Sequence, residues 1–347
     1  MVIWIIFLLI CSFILYRISK TSAPHRRKLL EYLLIIVVVY FSAFRDGLGA
    51  DYYRYILRTE YINNGEELLN DVLTNIVYLT NLSPIFYFLI TSLLVYPIII
   101  KKFLKQKYYI LIILSFLISP GLGLLQSYNA IRQYIGVAFF FWALDYLPNR
   151  KYFFYFGLLL FASMFHASAL LLIPFIFFLD KRVPKIIVLL GIVFSIVGAQ
   201  LFEPIGSFFM RNTEYSDYAE TSRSSSLMFI LLSIIFSYIY LYNKDFSPKM
   251  NIVMNGGFFC LFFFNLSVVS LAYSRFSLYF VPLLIISLFQ IIEITKKRIS
   301  GYIILVFFLL FFIVYLTSSD MLPQQMLPLG SIFDNVYNSI NINYIID

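Results

Sequence analysis

Four short polar elements interrupt an otherwise apolar chain, and each carries side chains that can bind an anion or move a proton. They are FRDGLGADYYRY (44–55), NAIRQ (129–133), SMFHAS (163–168) and SRFSLYF (274–280). Arginine presents a planar fork of donors that suits bidentate contacts to phosphate or carboxylate groups. Three of these elements contain an arginine, so Arg45, Arg132 and Arg275 are candidate ligands for a diphosphate.

Two side chains in these elements can accept a proton from a hydroxyl group. Asp51 follows the glycine-rich turn of the first element, and His166 lies in the third. A positioned carboxylate or imidazole is a usual general base. The sequence does not decide between them, so both are candidate catalytic residues, together with Arg132. The other polar or aromatic side chains singled out in these elements are Tyr52, Tyr55, Asn129, Gln133, Ser168 and Tyr279.

The spacing within NAIRQ predicts a shared helix face. Asn129, Arg132 and Gln133 stand at i, i+3 and i+4, which are neighbouring positions on a helix surface. The guanidinium of Arg132 would then lie near the positive end of its own helix dipole and gain nothing from it. It therefore needs an anion or a carboxylate as a partner.

Structural roles compete with each of these assignments. Arg45 can anchor a span at the membrane interface, and Arg275 can be a packing contact between helices. Asp51 can brace its glycine-rich turn, and His166 can cap a broken helix. Acidic residues with the spacing of Mg²⁺ ligands are not evident, so we expect neither a metal nor another cofactor.

The elements that position these residues are membrane helices. The chain has 347 residues, of which 61% are hydrophobic and 13% charged, whereas soluble domains carry about 25% charged residues. Apolar runs long enough for a ~30 Å hydrocarbon layer recur along the chain. We predict an all-α polytopic bundle of about 12 segments: 2–17, 28–44, 83–100, 108–125, 128–147, 152–165, 166–179, 184–202, 227–243, 251–271, 275–294 and 300–317.

Basic residues predict the orientation of these segments. Nineteen of the 26 lysines and arginines lie in six stretches that fall on one side, and these stretches hold every lysine. The seven remaining basic residues are all arginines on the other side. Cytoplasmic loops are enriched in lysine and arginine, so the lysine side is predicted to be cytoplasmic. The net charge of +8 then reflects topology and does not predict binding of nucleic acid.

The segment 152–179 is long for one helix and short for two. Basic residues flank it at both ends, at 150–151 and 181–185. If both ends are cytoplasmic, the segment must enter the membrane, turn and return as a short broken hairpin. The turn falls near SMFHAS and places His166 toward the outer face. A single tilted helix is the competing interpretation.

The resulting topology puts all four polar elements on the outer side. It predicts one transmembrane domain over 1–320 with external loops at 45–82 and 203–226, an extracytoplasmic tail at 321–347 and both termini outside. The charge of the deep interior is low, which indicates a site that opens to one face only. The four polar elements are therefore predicted to face away from the cytoplasm.

The order and spacing of the four elements resemble the EpsG family, which belongs with the Wzy-type polymerases of O-antigen, capsule and exopolysaccharide. The resemblance covers about residues 30–290. It implies a metal-independent, inverting glycosyl transfer between oligosaccharide units linked to undecaprenyl diphosphate, on the outer leaflet of the bilayer. Arg132, Arg275 and Arg45 would hold the diphosphate, and Asp51 or His166 would be the base. The side chains that would orient sugars or arginines are Tyr52, Tyr55, Asn129, Gln133, Ser168 and Tyr279.

The resemblance also implies a location in the bacterial inner membrane, with the active site facing the periplasm or the cell exterior. The partners implied are the lipid-linked oligosaccharide, the bilayer, a chain-length regulator and a flippase.

Other functions on the same glycans remain open at this point. A flippase for lipid-linked oligosaccharide should carry charge to both faces of the bundle. A membrane acyltransferase should have a histidine accessible from the cytoplasm. An O-antigen ligase shares the chemistry but uses a different acceptor.

Overall fold

The computed structural model describes residues 2–45, 47–49, 51–63, 65, 67–210, 226–245, 247–267 and 271–318. These ranges are helical, with no strand among them. The predicted tail 321–347 and most of the predicted external loop 203–226 lie outside the described residues. The helices of the first half are α1 (Val2–Lys20), α2 (Pro24–Ala43), α3 (Tyr52–Leu57), α4 (Leu68–Leu79), α5 (Ile85–Leu104), α6 (Tyr109–Ile118), α7 (Leu124–Asn129) and α8 (Ile131–Ala143).

The second half of the chain continues this pattern with more broken segments. It contains α9 (Tyr152–Ser163), a 3₁₀ segment (Ala167–Phe177), α10 (Lys185–Met210), α11 (Ser226–Tyr242), α12 (Pro248–Leu266), α13 (Leu271–Ser277), a 3₁₀ turn (Leu278–Phe280), α14 (Val281–Leu288), α15 (Ile291–Thr295) and α16 (Arg298–Ser318). Each predicted segment coincides with one or more of these helices.

Four described helical stretches are long and apolar enough to cross a membrane. They are Ile3–Lys20, Ile85–Leu104, Ala272–Thr295 and Arg298–Tyr315. Several shorter apolar helices accompany them, so the molecule has the composition of an integral membrane bundle. The count of twelve segments and the side of the two termini stay predictions.

The predicted hairpin at 152–179 is present. The Tyr155 hydroxyl donates to the Leu172 carbonyl over 3.2 Å, although these residues would be about 25 Å apart along a straight α-helix. The chain turns at Met164–His166 between α9 and the 3₁₀ segment. The single tilted helix is therefore wrong.

The residues that follow the C-terminal end of the 3₁₀ segment are held by a side-chain amide from another helix. The Asn255 side chain of α12 donates to the carbonyls of Phe178, Leu179 and Lys181, at 3.0, 3.0 and 2.7 Å. Carbonyls at a helix end lack partners within the helix, and lipid offers none. Asn255 satisfies them and thereby fixes the hairpin to the bundle.

The apolar stretch 108–147 is broken twice, whereas the sequence predicts a single break at 126–127, between two segments. α6 ends before a turn in which Gly121 has φ of 71°, and α7 begins at Leu124. A second break falls at Ala130, with φ −119° and ψ 48°, between α7 and α8. The predicted shared helix face of Asn129 and Arg132 is wrong, because Asn129 ends one helix and Arg132 lies in the first turn of the next.

Close approach of backbones sets the packing of the second half. α12 packs on α14, and a Cβ added at Gly256 would lie only 2.1 Å from Leu283 Cδ1. Small residues that let helices approach closely are typical of membrane bundles, because burial of apolar surface gives little driving force there. Any side chain larger than hydrogen at Gly256 would force these two helices apart.

α8 is the central helix of the first half. It packs against α5 and α9, against the 3₁₀ segment and against the 3₁₀ turn. Its residues from Gln133 to Phe141 are all buried. The first turn of α8 is therefore the place where side chains from several parts of the chain can meet.

Candidate functional site

A single carboxylate joins the two principal predicted residues. Glu67 Oε2 lies 2.7 Å from Arg132 Nη1, and Glu67 Oε1 lies 2.6 Å from His166 Nδ1. Each oxygen of the carboxylate therefore serves a different partner. The three side chains, termed here the Glu67 cluster, come from three separate parts of the chain: the residue before α4, the first turn of α8 and the tip of the hairpin.

The local backbone explains how Glu67 reaches this position. It is the residue immediately before α4, yet its carboxylate makes no capping hydrogen bond to that helix. The Asp71 carboxylate instead accepts from the backbone N–H groups of Gly65 and Glu67, at 3.1 and 3.4 Å. Because Asp71 satisfies the backbone here, the Glu67 side chain is free to turn toward Arg132.

A backbone hydrogen bond ties α4 to the hairpin tip. The Leu69 N–H donates to the Met164 carbonyl over 2.9 Å. Glu67 and His166 are each two residues from this bond, so their separation is set by main-chain geometry. The carboxylate and the imidazole are positioned by two rigid elements and not by a free loop.

The imidazole of His166 is oriented for proton transfer. With Nδ1–H donating to Glu67, the lone pair of Nε2 is left to accept a proton from elsewhere. A carboxylate that fixes the histidine tautomer in this way also stabilises the imidazolium that forms. Glu67 and His166 together therefore have the arrangement of a general base and its orienting group.

Aromatic side chains form the wall behind Arg132. Its guanidinium lies within hydrogen-bonding reach of the Tyr55 phenol, which stacks on Tyr87 at a centroid distance of 5.7 Å. Burial raises the pKa of Tyr55, so the phenol stays protonated and neutral. The wall places no further negative charge on Arg132 beyond that of Glu67.

The Glu67 cluster is partly open. The side chains of Arg132 and His166 are 22% and 23% exposed, and that of Glu67 is 9% exposed. The carboxylate is thus largely covered, while the groups that could meet a ligand remain accessible. This gradient of exposure is what a binding site needs: a fixed support with reactive groups above it.

Two hydrogen bonds bring the fourth polar element next to the cluster. The Gln133 amide donates to the Arg275 backbone carbonyl. Ser168, two residues after His166, lies 2.8 Å from the Tyr279 hydroxyl. Arg275 itself is exposed, beside the helix that carries Arg132.

Close packing holds Tyr279 in place. A Cβ added to Gly136 of α8 would lie 3.0 Å from Cε1 of the Tyr279 ring and 3.2 Å from its hydroxyl oxygen. The ring is fully buried and cannot move aside without displacing its neighbours. Gly136 is therefore the residue that lets Tyr279 reach Ser168.

Arg45 lies in a different environment from the one predicted for a diphosphate ligand. Its side chain is buried, at 4% exposure, with the guanidinium carbon 4.5 Å from the ring centroids of both Phe88 and Tyr128. It donates to the Ser42 and Leu48 carbonyls, at 2.6 and 3.2 Å. The structure does not bring Arg45 into the Glu67 cluster, because the two aromatic rings enclose it.

Asp51 also stands apart from the cluster. Its carboxylate lies 3.5 Å from Arg54 Nη1, and the Asp51 side chain is 33% exposed. Tyr52 stacks on Phe88, at 5.1 Å, and so belongs to the aromatic group around Arg45. Asn129 lies at the end of α7, near Gly49. Of the two candidate bases, only His166 contacts the residue that holds Arg132.

Within the described residues no three histidine, cysteine, aspartate or glutamate side chains are grouped so that they could hold a metal ion. The cluster has one carboxylate, which is already engaged on both oxygens. The expectation of metal-independent chemistry stays a prediction.

Glu67 is absent from the residues predicted from the sequence. Its signal is weak, because GEELLND (65–71) resembles a polar loop and contains two adjacent glutamates. Arg132 needs a negative partner on its own side of the membrane, but the predicted topology puts 13 of the 18 acidic residues on that side. The need for a partner therefore does not single out Glu67.

Comparison with known proteins supplies the family. The model of the EpsG family matches residues 28–331, which include all three members of the Glu67 cluster. Searches of curated proteins and of solved structures gave no significant match. The match covers most of the 347 residues, and the chain therefore belongs to the EpsG family, which is associated with polysaccharide biosynthesis in membranes.

Proposed function

We propose that this protein is a polysaccharide polymerase that joins oligosaccharide repeat units carried on undecaprenyl diphosphate, at the outer leaflet of the bacterial inner membrane. The family supports a role in polysaccharide biosynthesis. The observation that carries the proposal is the Glu67 carboxylate, which holds an arginine and a histidine side by side at a partly open site.

The proposed step is one displacement at the anomeric carbon of the donor. The acceptor hydroxyl loses its proton to Nε2 of His166 as its oxygen forms a bond to that carbon. The bond between the carbon and the diphosphate oxygen breaks, and undecaprenyl diphosphate leaves with the electron pair. Because attack and departure occur on opposite faces, the configuration at this carbon inverts.

The arginines act on the leaving group. Charge develops on the diphosphate as the glycosidic bond breaks, and a fixed guanidinium stabilises it without reorganisation of solvent. Glu67 positions Arg132 for this role, and Arg275 is exposed on α13. Arg45 would act indirectly, by packing against Phe88, on which Tyr52 stacks.

His166 is the better base on geometric grounds. Its Nδ1 is bound to Glu67, which leaves Nε2 as the acceptor and compensates the positive charge that forms. Asp51 has no such support and is paired with Arg54, whose side chain is 65% exposed. The remaining predicted residues are proposed to orient sugars or the arginines, directly or through their neighbours. They are Gln133, Tyr55, Ser168, Tyr279, Tyr52 and Asn129.

The test is a reconstituted reaction. Purified protein in liposomes is given undecaprenyl diphosphate carrying one repeat unit, and products are separated by length. The unsubstituted protein should form chains of several repeats, whereas Arg132→Ala should leave single units at normal protein level. Arg54→Ala is the matched control, because that arginine is exposed and outside the cluster. Transport of the glycolipid without any new glycosidic bond would favour a flippase instead.

The side of the membrane is tested separately. Ala167 is exposed beside the hairpin tip, and Ser22 is exposed in the lysine-rich stretch. A cysteine at Ala167 should react with a thiol reagent that cannot cross the membrane when the reagent is added to whole cells, whereas a cysteine at Ser22 should react only after lysis. The reverse pattern would place the cluster in the cytoplasm and remove the proposed outer-leaflet reaction.

A further inference from the structure

α4 exposes an apolar stripe where a helix in water would present polar residues. The outward positions Leu68, Val72, Ile76 and Leu79 are 64%, 45%, 48% and 67% exposed. The inward face is mixed, with Leu73 and Val77 buried beside the polar side chains of Asn70, Asp71 and Thr74. A helix on a water-soluble surface turns its polar residues outward.

The inward polar face is used in specific hydrogen bonds. The Tyr87 hydroxyl donates to the Asn70 side-chain oxygen over 2.9 Å, and Asp71 accepts from the Gly65 backbone. The Asn75 amide exchanges hydrogen bonds with the backbone of Asn63, at 2.7 and 2.9 Å. The orientation of α4 is therefore fixed by these contacts, and its apolar stripe must face away from the protein.

α4 packs against a membrane-spanning helix. After α4 the chain turns into α5, whose outward positions Phe86, Ile90 and Leu93 are 41%, 37% and 50% exposed. α5 is long and apolar enough to cross a bilayer, so we expect these positions to contact lipid. The outward residues of α4 are likewise apolar and include no charged side chain.

We propose that α4 lies within the outer-leaflet hydrocarbon and that lipid acyl chains cover the stripe Leu68–Val72–Ile76–Leu79. Its 12 residues extend about 18 Å, too short for the ~30 Å core. α4 therefore enters the bilayer from one side without crossing it. Membrane lipid is the occupant because α4 packs on the spanning helix α5, whose own outward positions are apolar and exposed. The sequence predicts an external loop over 45–82, which includes this stretch.

This placement has a consequence for the cluster. Glu67 immediately precedes α4, so the lipid-covered helix sets the depth of the carboxylate that holds Arg132 and His166. The Glu67 cluster would then be reached sideways from the bilayer, with the isoprenoid chain of a substrate remaining in lipid. That consequence rests on the proposed function, whereas the position of α4 does not.

Spin labelling can test the position of α4 directly. Both cysteines, Cys11 and Cys260, are buried and can be replaced by alanine. Single cysteines are then introduced as Val72→Cys and Ile76→Cys, labelled with a nitroxide and reconstituted in liposomes. Accessibility to oxygen, which concentrates in lipid, is compared with accessibility to a water-soluble nickel chelate. Leu93→Cys serves as the lipid-facing control and Tyr61→Cys, in the preceding loop, as the solvent control.

Labels at Val72 and Ile76 should behave as the label at Leu93 does, with oxygen accessibility severalfold above that for the nickel chelate. Accessibility like that at Tyr61 would overturn the proposal, since α4 would then face water. Protection from both reagents would also overturn it, since a protein surface such as a second copy would cover the stripe.

A second measurement avoids substitution. Phospholipids with a photoreactive group on the acyl chain should modify residues 68–79 of the unsubstituted protein, and failure to do so while α5 is modified would count against the proposal. Neither readout depends on polymer formation, so the proposed reaction can fail while α4 remains in lipid.

Discussion

Arg132 and Arg45 are two arginines predicted to bind the same diphosphate, and they have different surroundings. Arg132 is 22% exposed and paired with a carboxylate at 2.7 Å. Arg45 is enclosed between two aromatic rings, and its guanidinium donates to backbone carbonyls. Cation–π contacts and carbonyl oxygens can keep a buried guanidinium charged without a carboxylate.

The contrast shows what distinguishes an available cation from a structural one. Around Arg45, the carbonyls of Leu48 and Ser42 accept from Nε and Nη1, and Phe88 and Tyr128 cover its faces. Among the described residues its buried Nη2 has no hydrogen-bond partner. Arg132 instead contacts one oxygen of the Glu67 carboxylate, and His166 contacts the other. Only the second arrangement combines a positive group, a base and an opening.

The largest expected effect comes from removing the charge that supports the Glu67 cluster. Glu67→Gln should lower polymer formation by about 100-fold or more, the scale of general-base catalysis, because His166 loses its orienting anion and Arg132 its partner. The rate is measured per folded protein in the liposome reaction. Glu60→Gln, in the same external stretch, is the control and should retain full activity. Normal activity in Glu67→Gln would mean that the cluster is only structural.

A lysine at each arginine position separates the two environments. Arg132→Lys should abolish most polymer formation without loss of folded protein, because an ammonium lacks the planar fork. Arg45→Lys should instead lower stability by about 1–3 kcal/mol through lost buried hydrogen bonds, with activity per folded molecule retained. Thermal unfolding in detergent and the polymer assay measure the two quantities. Full stability with lost activity in Arg45→Lys would return Arg45 to the diphosphate site.

A moderate effect is expected at the contact between α8 and Tyr279. Gly136→Ala places a methyl group 3.0 Å from the Tyr279 ring, which should displace it from Ser168 and lower activity several-fold. Gly157→Ala on α9 has open space at its Cβ position and should be neutral or slightly stabilising, since alanine favours helices by up to about 1 kcal/mol. Equal behaviour of the two variants would remove Tyr279 from the site.

The smallest effect is expected at Asp51. Asp51→Asn breaks one exposed ion pair with Arg54, a contact of about 0–1 kcal/mol at a surface. Polymer formation should remain near that of the unsubstituted protein. A loss on the scale expected for Glu67→Gln would instead identify Asp51 as the base and leave His166 with a supporting role.

Much of the fold could be predicted because lipid imposes long apolar runs and a bias of basic residues. The hairpin at 152–179 follows from lysine and arginine at both of its ends. The breaks at Ala130 and around Gly121 could not be predicted in the same way, because the basic stretches at 101–107 and 150–151 bound the whole of 108–147 and do not locate breaks within it. α4 was missed because its polar residues indicate a loop when water is assumed to surround it.

The candidate site was predictable only as separate residues. Arg132 and His166 stand out because charged or titratable groups are rare beside membrane helices. Glu67 joins them across 65 and 99 positions of sequence, and no local spacing records such a pairing. The burial of Arg45 could not be predicted for the same reason, because the rings of Phe88 and Tyr128 that enclose it belong to helices distant in sequence.

The distances in sequence between Glu67 and its partners also bear on biogenesis. A ribosome adds roughly 5–20 residues per second, so α4 is synthesised several seconds before the histidine that its neighbouring carboxylate binds, 99 positions later. The carboxylate can meet Arg132 only after a further 65 residues and His166 only after 99. If the proposed function holds, a chain that stops before the hairpin lacks the base and should form no polymer.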